Sequence, residues 1–125
     1  MRIEGRVVAI TGAGSGIGAA IAREAARRGV AAIAVIDIDE AAGQQISREI
    51  SVSGMAAKAY RCDVADPDEV EQVAFEVISD LGVPGLVCAN AGVLTDRVPL
   101  LSETPQNLNW ALSINVIAPR TASTP

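Results

Sequence analysis

Thr11-Gly12-Ala13-Gly14-Ser15-Gly16-Ile17-Gly18 packs four glycines into seven residues, directly between an apolar run and an alanine-rich stretch. Glycine loses the most backbone freedom on folding, so this density is costly unless the backbone must approach something closely. The chemistry it suits is anion binding. A dinucleotide pyrophosphate needs exposed backbone N–H groups at a helix N-terminus and no side chain in its path. The spacing is not G-x-G-x-x-G, because Ile17 holds the sixth position; it is the longer T-G-x-x-x-G-I-G. Nineteen residues beyond Gly18, Asp37 closes a second apolar run. A carboxylate there can accept hydrogen bonds from adenosine ribose hydroxyls, and its charge repels the 2′-phosphate of NADP. No basic residue stands at Ala13, Ser15 or Ile38 to offset that repulsion, so NAD is expected over NADP. Capping of the next helix is the alternative role for Asp37, although Asp39 is better placed for it.

The elements that must position these residues follow from period and punctuation. Arg6–Ile10 reads as a short buried strand and Ile17–Arg28 as a helix stopped by Gly29. Ala31–Asp37 is a second strand, after which Asp39 caps a helix running to about Val52 and ending near Gly54. Ala56–Cys62 is a third strand. Asp66-Pro67-Asp68-Glu69 then starts a helix with an N-cap, a first-position proline and a glutamate three residues on. Its apolar face is Val70, Val73, Ala74, Val77, Ile78 and Leu81, and Gly82 ends it. Gly85–Ala89 is a fourth strand, and Thr104-Pro105 opens a last helix with Leu108, Ala111, Leu112 and Asn115 on one face. Strands alternating with helices at these spacings call for a parallel α/β sheet with right-handed crossovers. The expected strand order is 3-2-1-4.

Composition closes off other classes. The 125 residues fit one small domain, and half are hydrophobic with only 2% aromatic, so Ala, Val and Ile must build the core. A net charge of −5 argues against a nucleic-acid surface, which normally shows a basic stripe. The one adjacent basic pair, Arg27-Arg28, suits a helix C-terminus. The longest apolar run, Val30–Ile36, is far too short to span a bilayer. The N-terminus enters a strand without a signal-peptide layout, and Cys62 and Cys88 lack CxxC spacing and any histidine. A cytoplasmic protein with reduced thiols and no metal site is the expectation.

With those residues in view, T-G-x-x-x-G-I-G resembles the cofactor loop of the short-chain dehydrogenase/reductase family, classical type. Further matches extend the resemblance over residues 5 to 119. Cys62-Asp63-Val64 resembles the family's third-strand end, where the acidic side chain meets the adenine amino group and the next amide contacts the ring. An ordinary strand end would look the same. Asn90-Ala91-Gly92 resembles the N-A-G motif that steadies the sheet and borders the cofactor, though a tight Asn–Gly turn shares that appearance. In Ser113-Ile114-Asn115-Val116, Asn115 resembles the catalytic-helix asparagine that helps hold a water in the proton relay. A core amide bonded to nearby backbone is the alternative, since an unpaired amide on an apolar face is costly.

The resemblance implies hydride transfer between an alcohol or carbonyl substrate and nicotinamide, with NAD as cofactor. Thr11, Gly12, Gly14, Ser15, Gly16, Ile17, Gly18, Asp37, Ile38, Asp63, Val64, Asn90, Ala91 and Gly92 are its expected binding residues. Asn115 is the one expected catalytic member. The family also uses a tyrosine as general acid/base, a lysine four residues on to lower its pKa, and a serine to orient the substrate oxygen. Here the one tyrosine, Tyr60, and the one lysine, Lys58, stand two apart in the wrong order. We therefore expect residues 1–119 to be the cofactor-binding half of a truncated dehydrogenase, and the polar tail 120–125 to be disordered. The alternative is a catalytically inactive nucleotide-binding or interaction module, or a non-functional fragment. Uncovered apolar surface on the fourth strand and last helix is expected to drive self-association.

Overall fold

The computed structural model describes residues 2–91. Gly92, the helix expected from Thr104, Asn115 and the tail 120–125 lie outside the described residues. The elements run β1 (Val7–Thr11), α1 (Gly16–Arg27), β2 (Ala32–Asp37), α2 (Glu40–Val52), β3 (Ala56–Arg61), α3 (Pro67–Asp80) and β4 (Pro84–Cys88). All three strand pairs are parallel, and the sheet order is β3-β2-β1-β4, as expected.

Side-chain alternation along the two central strands divides the core. Val8, Ile10, Ile33 and Val35 point to one face and pack with Ala19, Ala22 and Ala25 of α1 and Ile46 and Ile50 of α2. Ala9, Ala34 and Ile36 point to the other, with Tyr60, Cys62, Val73 and Val77. The small side chains along α1 let its backbone lie close to the sheet, so the helix enters directly from the glycine turn. Burial on both faces explains why β2 reads as an uninterrupted apolar run.

Boundaries differ from the sequence expectation by one residue where pairing, not hydropathy, decides. β1 reaches Thr11 because Thr11 still pairs with Ile36, and the N–H of Ala13 continues to the Ile36 carbonyl at 3.1 Å. Helix α2 is capped by Asp39, whose carboxylate accepts from the Ala42 N–H at 3.1 Å. At α3, Asp66 caps as expected, accepting from the Asp68 N–H at 2.9 Å. Glu69 does not complete the reciprocal box, because the Asp66 N–H already donates to the Asp63 carbonyl at 3.0 Å.

The apolar face of α3 is also narrower than its sequence pattern. Val73 and Val77 are buried, and Val70 and Leu81 pack at the edge of that cluster. Ala74 is exposed and Ile78 is 49% exposed. Both line an open apolar groove with Ala9, Ile36, Val83 and Val87. A second apolar groove lies on the α1 side, lined by Ile3, Ile17, Ile21 and Leu86. Both grooves flank β4, which has β1 as its one neighbour among the described residues.

Candidate functional site

The sheet order reverses direction at β1, where α1 and α2 cover one face and α3 the other. Loops leaving β1 and β4 therefore part there and leave a crevice at the carboxyl ends of the strands. A cleft of about 380 Å³ occupies that place. Gly12, Ser15, Ile17, Asp37, Ile38, Asp63, Val64, Asn90 and Ala91 line it, together with Cys62. Four segments far apart in sequence meet here because each follows the end of a parallel strand.

Thr11, Gly14, Gly16 and Gly18 support the cleft rather than line it. The buried Thr11 hydroxyl donates to the Cys88 carbonyl at 3.4 Å and accepts from the N–H groups of Asn90 and Ala91 at 3.0 and 3.1 Å. The Asn90 amide in turn donates to the Gly12 carbonyl at 3.3 Å. These bonds fasten the loop after β4 to the loop after β1. The packing is close enough to require glycine: a Cβ on Gly18 would stand 2.0 Å from the Gly12 carbonyl oxygen, and one on Gly12 would stand 2.9 Å from the Ala91 Cα. Gly16 differs, having open space around it and a φ of +56° that L side chains rarely adopt.

Helix α1 begins at this loop without a side-chain cap, since the Ser15 hydroxyl makes no capping bond and the first turn holds no acidic residue. The orphan N–H groups and the positive end of the helix dipole are thereby left for an anion. The backbone thus presents the donors that a pyrophosphate requires, and the glycines remove the side chains that would block it.

Asp37 stands at the end of β2, with its carboxylate held on both oxygens. The Gly14 N–H donates to Oδ2 at 2.8 Å and the Asp39 N–H to Oδ1 at 2.9 Å. Capping of α2 is done by Asp39. On the far side of the cleft, Asp63 Oδ1 accepts from the Ala65 N–H at 3.0 Å, closing a tight turn that sets the course of Val64.

Two contributors were not singled out from sequence. Glu69 Oε1 accepts from the Asp63 N–H at 3.2 Å and from Arg61 Nη1 at 2.7 Å, so a glutamate expected to close a helix start instead fixes the Asp63–Val64 turn. Cys62 is buried, yet it also borders the cleft. Burial, helped by the nearby Glu69 and Asp63 charges, pushes its thiol up to about 11, which makes it a poor nucleophile at neutral pH. The lone tyrosine sits away from the cleft: the Tyr60 hydroxyl donates to Asp80 Oδ2 at 2.9 Å, beside Lys58 on the same carboxylate.

A glycine turn feeding an uncapped helix, an aspartate at the end of the second strand and a cleft at the sheet's reversal point are together the features of a Rossmann-type α/β fold. The family profile of the short chain dehydrogenases matches residues 6–124, and the chain belongs to that family. Among its relatives is "Probable oxidoreductase EphD" of Mycobacterium tuberculosis, 45% identical over 87 residues that make up 70% of this chain and 14% of that protein. Short-chain dehydrogenase reductase 5 of Arabidopsis thaliana is 32% identical over 115 residues, 92% of this chain and 43% of the relative. The chain thus spans less than half the length of these curated relatives. A short-chain dehydrogenase/reductase from Burkholderia phymatum, solved in complex with NAD, superposes with a TM-score of 0.93 at 28% identity, over 98% of this chain and 43% of that one. A metagenomic short-chain oxidoreductase in complex with NADP superposes at 0.89 with 30% identity, over 98% of this chain and 55% of that one.

Proposed function

We propose that this chain binds NAD(H) in the cleft and is the cofactor-holding part of an oxidoreductase that exchanges a hydride between an alcohol or carbonyl substrate and nicotinamide. The observation that carries NAD over NADP is the Asp37 carboxylate, held by two backbone amides at the carboxyl end of β2. Its charge suits two ribose hydroxyls and opposes a phosphate there, and neither Ser15 nor Ile38 beside it is basic. In this reading the loop from Gly12 to Gly18 holds the pyrophosphate, Asp63 and Val64 receive the adenine, and Asn90, Ala91 and Gly92 border the nicotinamide half. Asn115 serves the proton relay. Bound NAD supplies the hydride chemistry; the residues of the cleft bind it and orient it.

Calorimetric titration of NAD+ and NADP+ into the wild type and into Asp37→Ala tests the assignment. Loss of a hydrogen bond to a charged group predicts that Asp37→Ala weakens NAD+ by about tenfold or more and leaves NADP+ unchanged or tighter. Equal affinities in the wild type, or a ratio indifferent to Asp37→Ala, would refute it.

A second reading, binding without turnover by these 125 residues alone, is favoured by Tyr60. Its hydroxyl is engaged with Asp80 and is pushed above its ordinary value, first by burial and then by that carboxylate, the reverse of what a general base near neutral pH needs. A chain that binds NAD+ but forms no NADH with a panel of alcohols is the expected result.

We place the protein in the cytoplasm on its two free thiols, Cys62 and Cys88. Among the described residues no helix is long and apolar enough to cross a membrane. We also infer self-association through the apolar surface beside β4.

A further inference from the structure

We propose that Gly14 is a positioning residue that sets selectivity between NAD and NADP by aiming the Asp37 carboxylate; the proposal rests on the ribose reading of Asp37 given above. Among the four glycines of the turn, Gly14 has a distinct requirement. Gly12 and Gly16 have φ of +67° and +56°, whereas Gly14 is outside the left-handed region, so its backbone conformation is open to other residues. What the position demands is space on one side. A Cβ there would stand 2.9 Å from Asp37 Oδ2, 3.0 Å from Asp37 Cγ and 3.0 Å from the Cβ of Ala42. Ala42 is held on α2 and cannot swing away, so the carboxylate must turn or the loop must lift from the helix. Either movement strains and lengthens the 2.8 Å bond from the Gly14 N–H to Oδ2.

That bond links the loop that suits a pyrophosphate to the residue that suits the ribose. The Asp39 N–H holds the other oxygen at 2.9 Å, and it alone leaves the carboxylate free to pivot about Oδ1. With both amides engaged the group has one orientation, and its remaining lone pairs are directed at whatever fills the cleft. A pivoted carboxylate would lose contact with two hydroxyls at once. It would also oppose a 2′-phosphate less, so the two nucleotides should respond unequally.

The test is a double-mutant cycle on the 125-residue chain with Gly14→Ala, Asp37→Ala and the combined variant, titrated with NAD+ and NADP+. Gly14→Ala is expected to weaken NAD+ about tenfold and NADP+ by less than about threefold, and to change NAD+ by less than about twofold once Asp37 is already alanine. A nucleotide-free readout accompanies it. Gly14→Ala should lower the melting temperature clearly in the wild-type background and less in the Asp37→Ala background, where both carboxylate atoms are gone and the Ala42 Cβ alone still crowds the site. The combined variant therefore keeps the test open even if Gly14→Ala alone folds poorly. Equal weakening of both nucleotides, or equal effects in both backgrounds, overturns the proposal and leaves the ribose reading standing. A wild type without NAD+ preference, unaltered by Asp37→Ala, removes the ribose reading and the selectivity role with it, while the melting cycle still reports the steric pairing separately.

Discussion

One hydroxyl, that of Thr11, serves three backbone groups across the β1–β4 junction. Replacing it with the near-isosteric Val would leave the Asn90 and Ala91 amides without that acceptor. At a partly buried site this should cost about 2 kcal/mol, read as a lower urea midpoint with an unchanged slope. NAD+ affinity should fall as well, because those amides set the wall of the cleft. At this scale the sequence was informative where a residue type carries its own constraint. The crowding at Gly12 and Gly18 was legible as glycine density, and Asp37 as an acidic strand end. The roles of Thr11 and Glu69 were not, for a physical reason. Thr11 meets partners 79 and 80 positions away, and such a contact leaves no trace in local spacing. Glu69 stood where a capping box would place it, and a competing bond from Asp66 to Asp63 redirected it.

At the scale of elements, α3 is fastened to the edge strand β3 at both ends. Near its start Glu69 pairs with Arg61, and near its end Asp80 accepts from both Lys58 and Tyr60. Tyr60→Phe keeps the buried ring and removes its hydroxyl, so a loss of about 1 kcal/mol is expected at neutral pH, with nucleotide affinity unchanged. The same group imposes an alkaline limit. Tyr60 is raised above its ordinary value by burial and by Asp80, and Cys62 is raised by burial from 9.0 to about 11. Above their ordinary values the unfolded chain ionises these groups and the folded chain does not. The unfolded state then binds fewer protons, and stability falls as pH rises through roughly 9 to 11. Tyr60→Phe should flatten that fall in denaturant midpoints measured from about pH 8 to about pH 11. Element types and order were readable from period and turn residues, because the caps of α2 and α3 and the stops at Gly29, Gly54 and Gly82 are local devices. The width of the buried face of α3 was not. Periodicity marks which residues are apolar, whereas burial also needs an opposing surface that closes over them, and Ala74 and Ile78 are left lining an open groove among the described residues.

For the molecule as a whole, the two apolar grooves share one border, β4. Val83 and Val87 are 74% and 44% exposed there, and Leu86 lines the groove on the opposite face. Surface of this kind is characteristically covered by another chain or element. We expect the 125-residue chain to elute larger than a monomer in size-exclusion chromatography with light scattering, and Val87→Lys to shift it toward the monomer. A sharp monomeric peak for the wild type at high concentration would count against this. Right-handed crossovers leave few arrangements for alternating strands and helices, and the sheet has the expected one, β3-β2-β1-β4.

The other border of the sheet is built differently. Along β3, Lys58 and Arg61 place charges at the margin, each neutralised by a carboxylate of α3. A row of charged side chains discourages a further strand from adding there. Among the described residues the sheet therefore has one charged margin, β3, and one apolar margin, β4. Two copies meeting β4 to β4 would each turn an unreceptive back outward, so the pairing closes on itself after a single step. The ion pairs on β3 contribute little to the stability of any one copy at the surface. In a pair formed through β4, these charges would oppose addition of a further strand at β3.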